Sequence, residues 1–200
     1  MGRIVVAVLV AALVVGAADA ARVVGTRAGD DLRGSARSDV LHGLAGDDRL
    51  EGGAGRDGLH GGEGVDRLIG GTGNDLLYAG PGADRLAAGA GNDWADGSLG
   101  RDFLFGGSGR DALYGGPGDD VVVGGDGADF LFGNAGADVL DARRGTGTDI
   151  VDAGDGADRI FALDGRVDVV RCREGRDFVL ADRVDRVSAY DCEVIDRRQL

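Results

Sequence analysis

The sequence predicts an all-β solenoid, a rod of short stacked coils, and three observations carry that expectation. From residue 43 to residue 141 one nine-residue phrase, Gly-Gly-x-Gly-x-Asp-x-U-x with U aliphatic, recurs eleven times without slipping register. Its eighth place is Leu in nine copies, Val122 in one and Ala95 in one, a regular supply of single inward-pointing side chains. The chain's 200 residues include 40 Gly and only ten aromatic residues, too little material for an ordinary globular core. Pro is only 2, which excludes a collagen-like or Pro-rich chain.

The elements follow in order. Residues 1–20 read as a signal peptide. Arg3 precedes an unbroken apolar run, Ile4–Val15, and Ala18-Asp19-Ala20 is a small-x-small site for cleavage after Ala20. A run of that length is too short to span a bilayer comfortably, so no membrane span is expected after processing. Residues 21–42 hold two degenerate copies, GTRAGDDLR and GSARSDVLH, in which Ala28 and Arg37 replace the fourth-place Gly. Residues 43–141 are the strict array, with Asp at every sixth place and Gly at every fourth. After Asp141 the register slips at Ala142-Arg143, and 142–161 carries the looser copies RGTGTDIVD and AGDGADRIF. Residues 162–200 are poor in Gly but keep Asp and Val, and they hold both cysteines, Cys172 and Cys192. An even pair in an exported chain favours a disulfide, so this segment reads as a disulfide-clipped cap over the open end of the solenoid.

Within a copy, the residues x-U-x form a very short strand whose middle side chain points inward. Leu50, Leu59, Leu68, Leu77, Leu86, Leu104, Leu113, Leu131 and Leu140 are the expected thin interior. Such a core does not hold itself, because Gly loses the most freedom on ordering and stacked Asp side chains repel. Cations resolve both terms. The net charge of −13, from 35 acids against 22 Arg with no Lys, fits cations and argues against nucleic acid as a partner.

The phrase resembles the nonapeptide of the RTX family, the hemolysin-type calcium-binding repeats. The strict copies cover about half the chain, and one GGxGxD alone is a weak signal where eleven in register are a strong one. The resemblance implies a right-handed parallel β-roll with two repeats per coil. It also implies that two equivalent turns on one edge jointly enclose an ion. The metal-binding aspartates are then Asp48, Asp57, Asp66, Asp75, Asp84, Asp93, Asp102, Asp111, Asp120, Asp129 and Asp138. Backbone carbonyls are expected from the turn glycines Gly53 and Gly55, Gly62 and Gly64, Gly71 and Gly73, Gly80 and Gly82, Gly89 and Gly91, Gly107 and Gly109, Gly116 and Gly118, and Gly125 and Gly127. Neighbours two repeats apart pair as Asp48 with Asp66, Asp57 with Asp75, and onward to Asp120 with Asp138, giving about nine calcium sites. Ca²⁺ accepts six to eight oxygen ligands in flexible geometry, whereas Mg²⁺ demands a tight octahedron and Zn²⁺ or Cu²⁺ seek His or Cys, which the turns lack.

No catalytic role is expected. Neither a Ser-His-Asp nor a His-Glu-x-x-His arrangement is present, and the repeats start close behind the expected cleavage site, leaving no room before them for a catalytic domain. The expected function is a secreted, extracellular calcium-binding protein that folds on meeting calcium. An adhesion or matrix role, with calcium purely structural, is the alternative. On the two-repeat period His42, His60, Tyr78, Asp96, Tyr114 and Phe132 share one face with Trp94, while Arg49, Arg67 and Arg85 share the other. These ladders are the candidate surfaces for a cell-surface carbohydrate or protein partner.

Overall fold

The computed structural model describes residues 22–188, 192 and 194–197, so the expected signal peptide lies outside the described residues. Twenty strands alternate between two ten-stranded sheets, and every pairing is parallel. The first sheet starts at Arg22–Val24 and the second at Asp31–Arg33, each strand pairing with the one two positions on. The chain is therefore a parallel β-solenoid, with no helix among the described residues.

One coil is two repeats long through the strict array, as the pairs Leu50↔Leu68 and Leu59↔Leu77 record. The two extra residues at Ala142-Arg143 lengthen one coil, so Phe130 pairs with Ile150 and Val139 with Arg159. Beyond them the segment expected as a cap supplies strands Val169–Arg171, Phe178–Ala181, Arg186–Val187 and Val194–Arg197, which extend both sheets. A disulfide joins Cys172 and Cys192 across a Cα–Cα distance of 5.2 Å. Cys172 is fully buried at the end of the aliphatic core.

The strands are longer than x-U-x. Arg49–Ala54, Gly58–Glu63 and Arg67–Thr72 each run from the seventh place of one copy through the third place of the next. Only Gly-x-Asp, the fourth to sixth places, is left to turn the corner. The second and third places pair with the next coil again, as in Gly53↔Gly71 and Ala54↔Thr72, with the first-place glycine inside the strand but skipped by the ladder.

Side chains at the eighth and first places point inward. The nine expected leucines are all at or below 1% exposure, and the first place admits only Gly or Ala, as at Ala79 and Ala88. Each buried Leu contributes about 1.5–3 kcal/mol, offset by the ordering of a chain one-fifth glycine. Throughout the strict array the second place is held in the left-handed region whatever residue stands there. Leu44 (φ 89°), Ser98 (φ 72°) and Asn134 (φ 73°) adopt the same conformation as Gly53 (φ 109°). Coil geometry overrides the residue's own preference.

Candidate metal centre

Each Gly-x-Asp turn presents one carboxylate inside the rod's edge. All eleven sixth-place aspartates of the strict array, Asp48 through Asp138, are at most 3% exposed. Their Oδ1 atoms accept the backbone N–H of the equivalent Asp one coil upstream, at 2.7–2.9 Å. The same upstream Asp uses its carbonyl to accept the next strand's first N–H, as Phe103 donates to Asp84 at 2.9 Å. Two ladders result, one per edge, with Asp48, Asp66, Asp84, Asp102, Asp120 and Asp138 on one and Asp57, Asp75, Asp93, Asp111 and Asp129 on the other.

The second carboxylate oxygen is treated differently. In all eleven residues Oδ2 is buried and has no hydrogen-bond partner among the described residues. A buried, unsatisfied carboxylate oxygen is costly, and here the cost repeats at every turn. Beside eight of the eleven, Asp48, Asp57, Asp66, Asp75, Asp102, Asp111, Asp120 and Asp138, a backbone carbonyl of the next coil approaches the same first-place glycine as Oδ2 does. A point one Cβ length from Gly106 lies 2.5 Å from Asp111 Oδ2 and 2.5 Å from the Gly124 carbonyl oxygen, and Gly97 gives 2.5 and 2.6 Å to Asp102 Oδ2 and the Gly115 oxygen. Oxygen atoms of two successive coils thus border one small space, and the carboxylate oxygen among them lacks a donor. Gly53, Gly55 and their equivalents stack in columns, each directing its carbonyl at the glycine one coil on, as the Gly53 oxygen does at Gly71.

The charge state follows from this setting. Burial pushes the carboxyls of Asp48, Asp57, Asp84, Asp93, Asp120 and Asp138 up to about 6, against the pull of the donated N–H. Burial lifts Asp102 and Asp111 to about 7, with stacked carboxylates above and below adding to it. Asp66, Asp75 and Asp129 are raised by burial as well. Among the described residues no three His, Cys, Asp or Glu side chains come together as a ligand set. The oxygens on offer to a cation here are single carboxylates from successive coils plus main-chain carbonyls. That donor set, all hard oxygen, suits Ca²⁺.

A family model of four copies of the RTX calcium-binding nonapeptide repeat matches residues 24–59, 60–95, 78–113, 88–122, 114–148 and 144–166. Together these segments cover 24–166 without a gap. The chain belongs to the RTX calcium-binding repeat family. Repeats of this family bind calcium, and the RTX β-roll is a structural calcium-binding fold rather than an enzyme family. A search of curated proteins found no match. No helix among the described residues is long and apolar enough to cross a membrane.

The RTX array changes character at its N-terminal end. Asp30 Oδ2 accepts the Thr26 N–H at 2.6 Å and its hydroxyl at 3.0 Å. Asp39 Oδ2 accepts the Ser35 N–H and hydroxyl at 2.6 and 2.8 Å. In the degenerate copies a hydroxyl residue at the second place therefore supplies what the strict RTX turn leaves unmet.

Asp149 and Asp158, the sixth-place residues of the looser copies, continue both ladders, and so do Asp168, Asp177 and Asp185, each accepting the N–H of its upstream equivalent at 2.7–3.0 Å. The last three escaped the sequence reading, because their uneven spacing hides them from a nine-residue ruler. The fifth place carries a second, opposite ladder. Asp47, Asn74, Asn92 and Asp119 accept the N–H of the fifth-place residue one coil downstream, at 2.8–2.9 Å. The recurrence of Asn and Asp at that place was the available signal.

Proposed function

We propose that this RTX chain is a secreted calcium-binding protein whose Asp turns hold several Ca²⁺ ions between stacked coils, so that folding is coupled to extracellular calcium. The observation that carries the reading is the row of eleven buried Oδ2 atoms without a donor. Removing so many charged oxygens from water is favourable only when a cation meets them. The residues that would hold the ions are the eleven aspartates from Asp48 to Asp138, with carbonyls from the turn glycines. Six turns on one edge and five on the other give about nine sites, whose charge more than cancels the chain's −13. The disulfide between Cys172 and Cys192 and the apolar N-terminal run support export to an oxidising compartment.

Calcium binds only the folded coils, so its binding energy is folding energy. Each ion needs two formed turns, which makes uptake cooperative, with Kd in the range of about 10⁻⁴–10⁻³ M found in extracellular modules. Equilibrium dialysis against calcium tests the reading. A stoichiometry near nine supports it, and a stoichiometry of one or two removes it.

A further inference from the structure

Midway along the first sheet the outward ring ladder is interrupted. The ninth-place column runs His42, His60, Tyr78, Asp96, Tyr114 and Phe132, so a carboxylate stands where a ring belongs. The indole of Trp94 fills the gap from the seventh place. It lies 4.5 Å from Tyr78 at 45° and 5.5 Å from Tyr114 at 39°, whereas His60–Tyr78 and Tyr114–Phe132 are parallel within 2° and 4°. Trp94 thus leans across the column instead of stacking within it, and stays half-buried. Beside it lies a shallow, solvent-open cleft of about 470 Å³ bordered by Trp94, Tyr114, Asp96, Ser98, Leu99 and Asn134.

The cleft's polar border is built at a cost to the fold. The second place in the RTX repeat is Gly, and Ser98 and Asn134 stand in its left-handed conformation on either side of Gly116. Each side chain there carries a backbone strain that glycine avoids. Of the three non-glycine residues in this column of the strict array, two border the cleft. Asp96 Oδ1 accepts the Ser98 N–H at 2.8 Å, leaving Oδ2 without a hydrogen-bond partner among the described residues. Leu99, 54% exposed, adds an apolar rim.

We infer that this cleft binds a neutral saccharide chain, with the C–H face of a pyranose against Trp94 and Tyr114 and its hydroxyls on Asp96 and Asn134. A pyranose offers an apolar face and a ring of hydroxyl donors and acceptors, and the cleft offers tilted aromatic rings beside a carboxylate, a hydroxyl and an amide. A uronic or sulfated sugar meets the repulsion of Asp96 and of an acidic chain. A Pro-rich or aromatic peptide matches the rings but brings few donors for the carboxylate. The inference goes beyond calcium binding and needs only the folded coils.

Trp94 is the chain's single Trp, so its emission reports on the cleft directly. The test titrates folded protein with cellohexaose, chitohexaose, maltohexaose and laminarihexaose, following fluorescence and calorimetry. Protein is used under whichever ion condition gives complete β signal by circular dichroism, so a failure of the calcium reading leaves this test standing. The expected result is a saturable change with at least one hexasaccharide. Asp96→Ala and Asn134→Gly each weaken it by about tenfold, the loss of one hydrogen bond to a charged or amide group. Because Asn134→Gly restores the repeat's own residue, loss of binding in that variant does not reflect loss of fold. No saturable change with any of the four, equal binding in Asn134→Gly, or binding of a polyproline peptide instead would each overturn the inference.

Discussion

The backbone N–H of Asp84 donates to Oδ1 of Asp102 at 2.7 Å, while Oδ2 of the same carboxylate is buried without a partner. One oxygen ties coil to coil and the other stays available to a cation, so a single side chain links the solenoid's cohesion to its ligand. Burial and the stacked carboxylates Asp120 and Asp84 hold the Asp102 carboxyl up near 7. The metal-free ladder is therefore under electrostatic load at neutral pH.

Replacing one such oxygen distinguishes the strict turns from the degenerate ones. Asp102→Asn keeps an acceptor for the Asp84 N–H but removes the charged Oδ2. The calcium concentration at half-folding is expected to rise about tenfold, equivalent to ~1.4 kcal/mol. Asp39→Asn is expected to change it less than about twofold, because Ser35 already satisfies that carboxylate. Calcium titrations followed by circular dichroism compare the two, and equal shifts would contradict the assignment.

The turn glycines respond in opposite directions to substitution. A Cβ on Gly100 would sit 1.4 Å from the Gly82 carbonyl oxygen, with φ at 141°. Gly100→Ala is expected to cost at least ~3 kcal/mol and to abolish folding of the central coils at moderate calcium. Leu44, 47% exposed with φ 89°, is the reverse case. Leu44→Gly relieves the left-handed strain and is expected to stabilise by about 1 kcal/mol. Thermal unfolding in saturating calcium measures both.

In chelator, acid is expected to favour the fold. The ladder's folded carboxyls sit at about 6 to 7, above the ordinary unfolded value near 3.9. The folded chain therefore binds protons more tightly than the unfolded one. That contribution is fully present below about pH 4 and is lost as pH rises through the folded values. Metal-free protein should show more β signal at pH 5 than at pH 8, and calcium, which needs the ionised carboxylate, should bind more tightly as pH rises. A metal-free β signal that grows with pH would contradict the buried, unpaired placement.

Reducing the Cys172–Cys192 bond, or Cys192→Ser, frees a segment closed over a separation of 20 residues. The expected loss is about 3 kcal/mol in the chain-entropy picture. It should fall on strands Val169–Arg171 through Val194–Arg197, where glycines become sparse and Gly175 stacks on Gly156. Hydrogen exchange would show their amides losing protection first while the strict coils keep their calcium response.

The fold was legible in the sequence because one coil's contacts return with every second copy of the phrase, so the periodicity that places Leu50 inward also places Asp48 at the edge. What the ruler missed lies where its pitch changes. The looser copies already carried Asp149 and Asp158 at the sixth place, but only the pairing Phe130↔Ile150 shows that the two extra residues bulge without breaking the ladder, and Asp168, Asp177 and Asp185 lie where the spacing drifts. Strand length was also hidden, since glycine's weak strand preference masks that the strand runs on through Gly52 and that Gly53 pairs with Gly71. The division of labour between Oδ1 and Oδ2 depends on backbone N–H groups one coil away, which no local pattern of residues reports. The ring ladder was visible as a column, but the leaning of Trp94 into the gap at Asp96 needed coordinates.

The most direct test is far-UV circular dichroism of the chain, started in chelator at pH 7.5 and titrated with calcium and, separately, with magnesium. Buried carboxylate oxygens awaiting a large, flexible oxygen-seeking ion predict a cooperative rise in β signal with millimolar calcium and little change with equal magnesium. A β signal already complete in chelator, or one that magnesium restores equally well, would contradict the account.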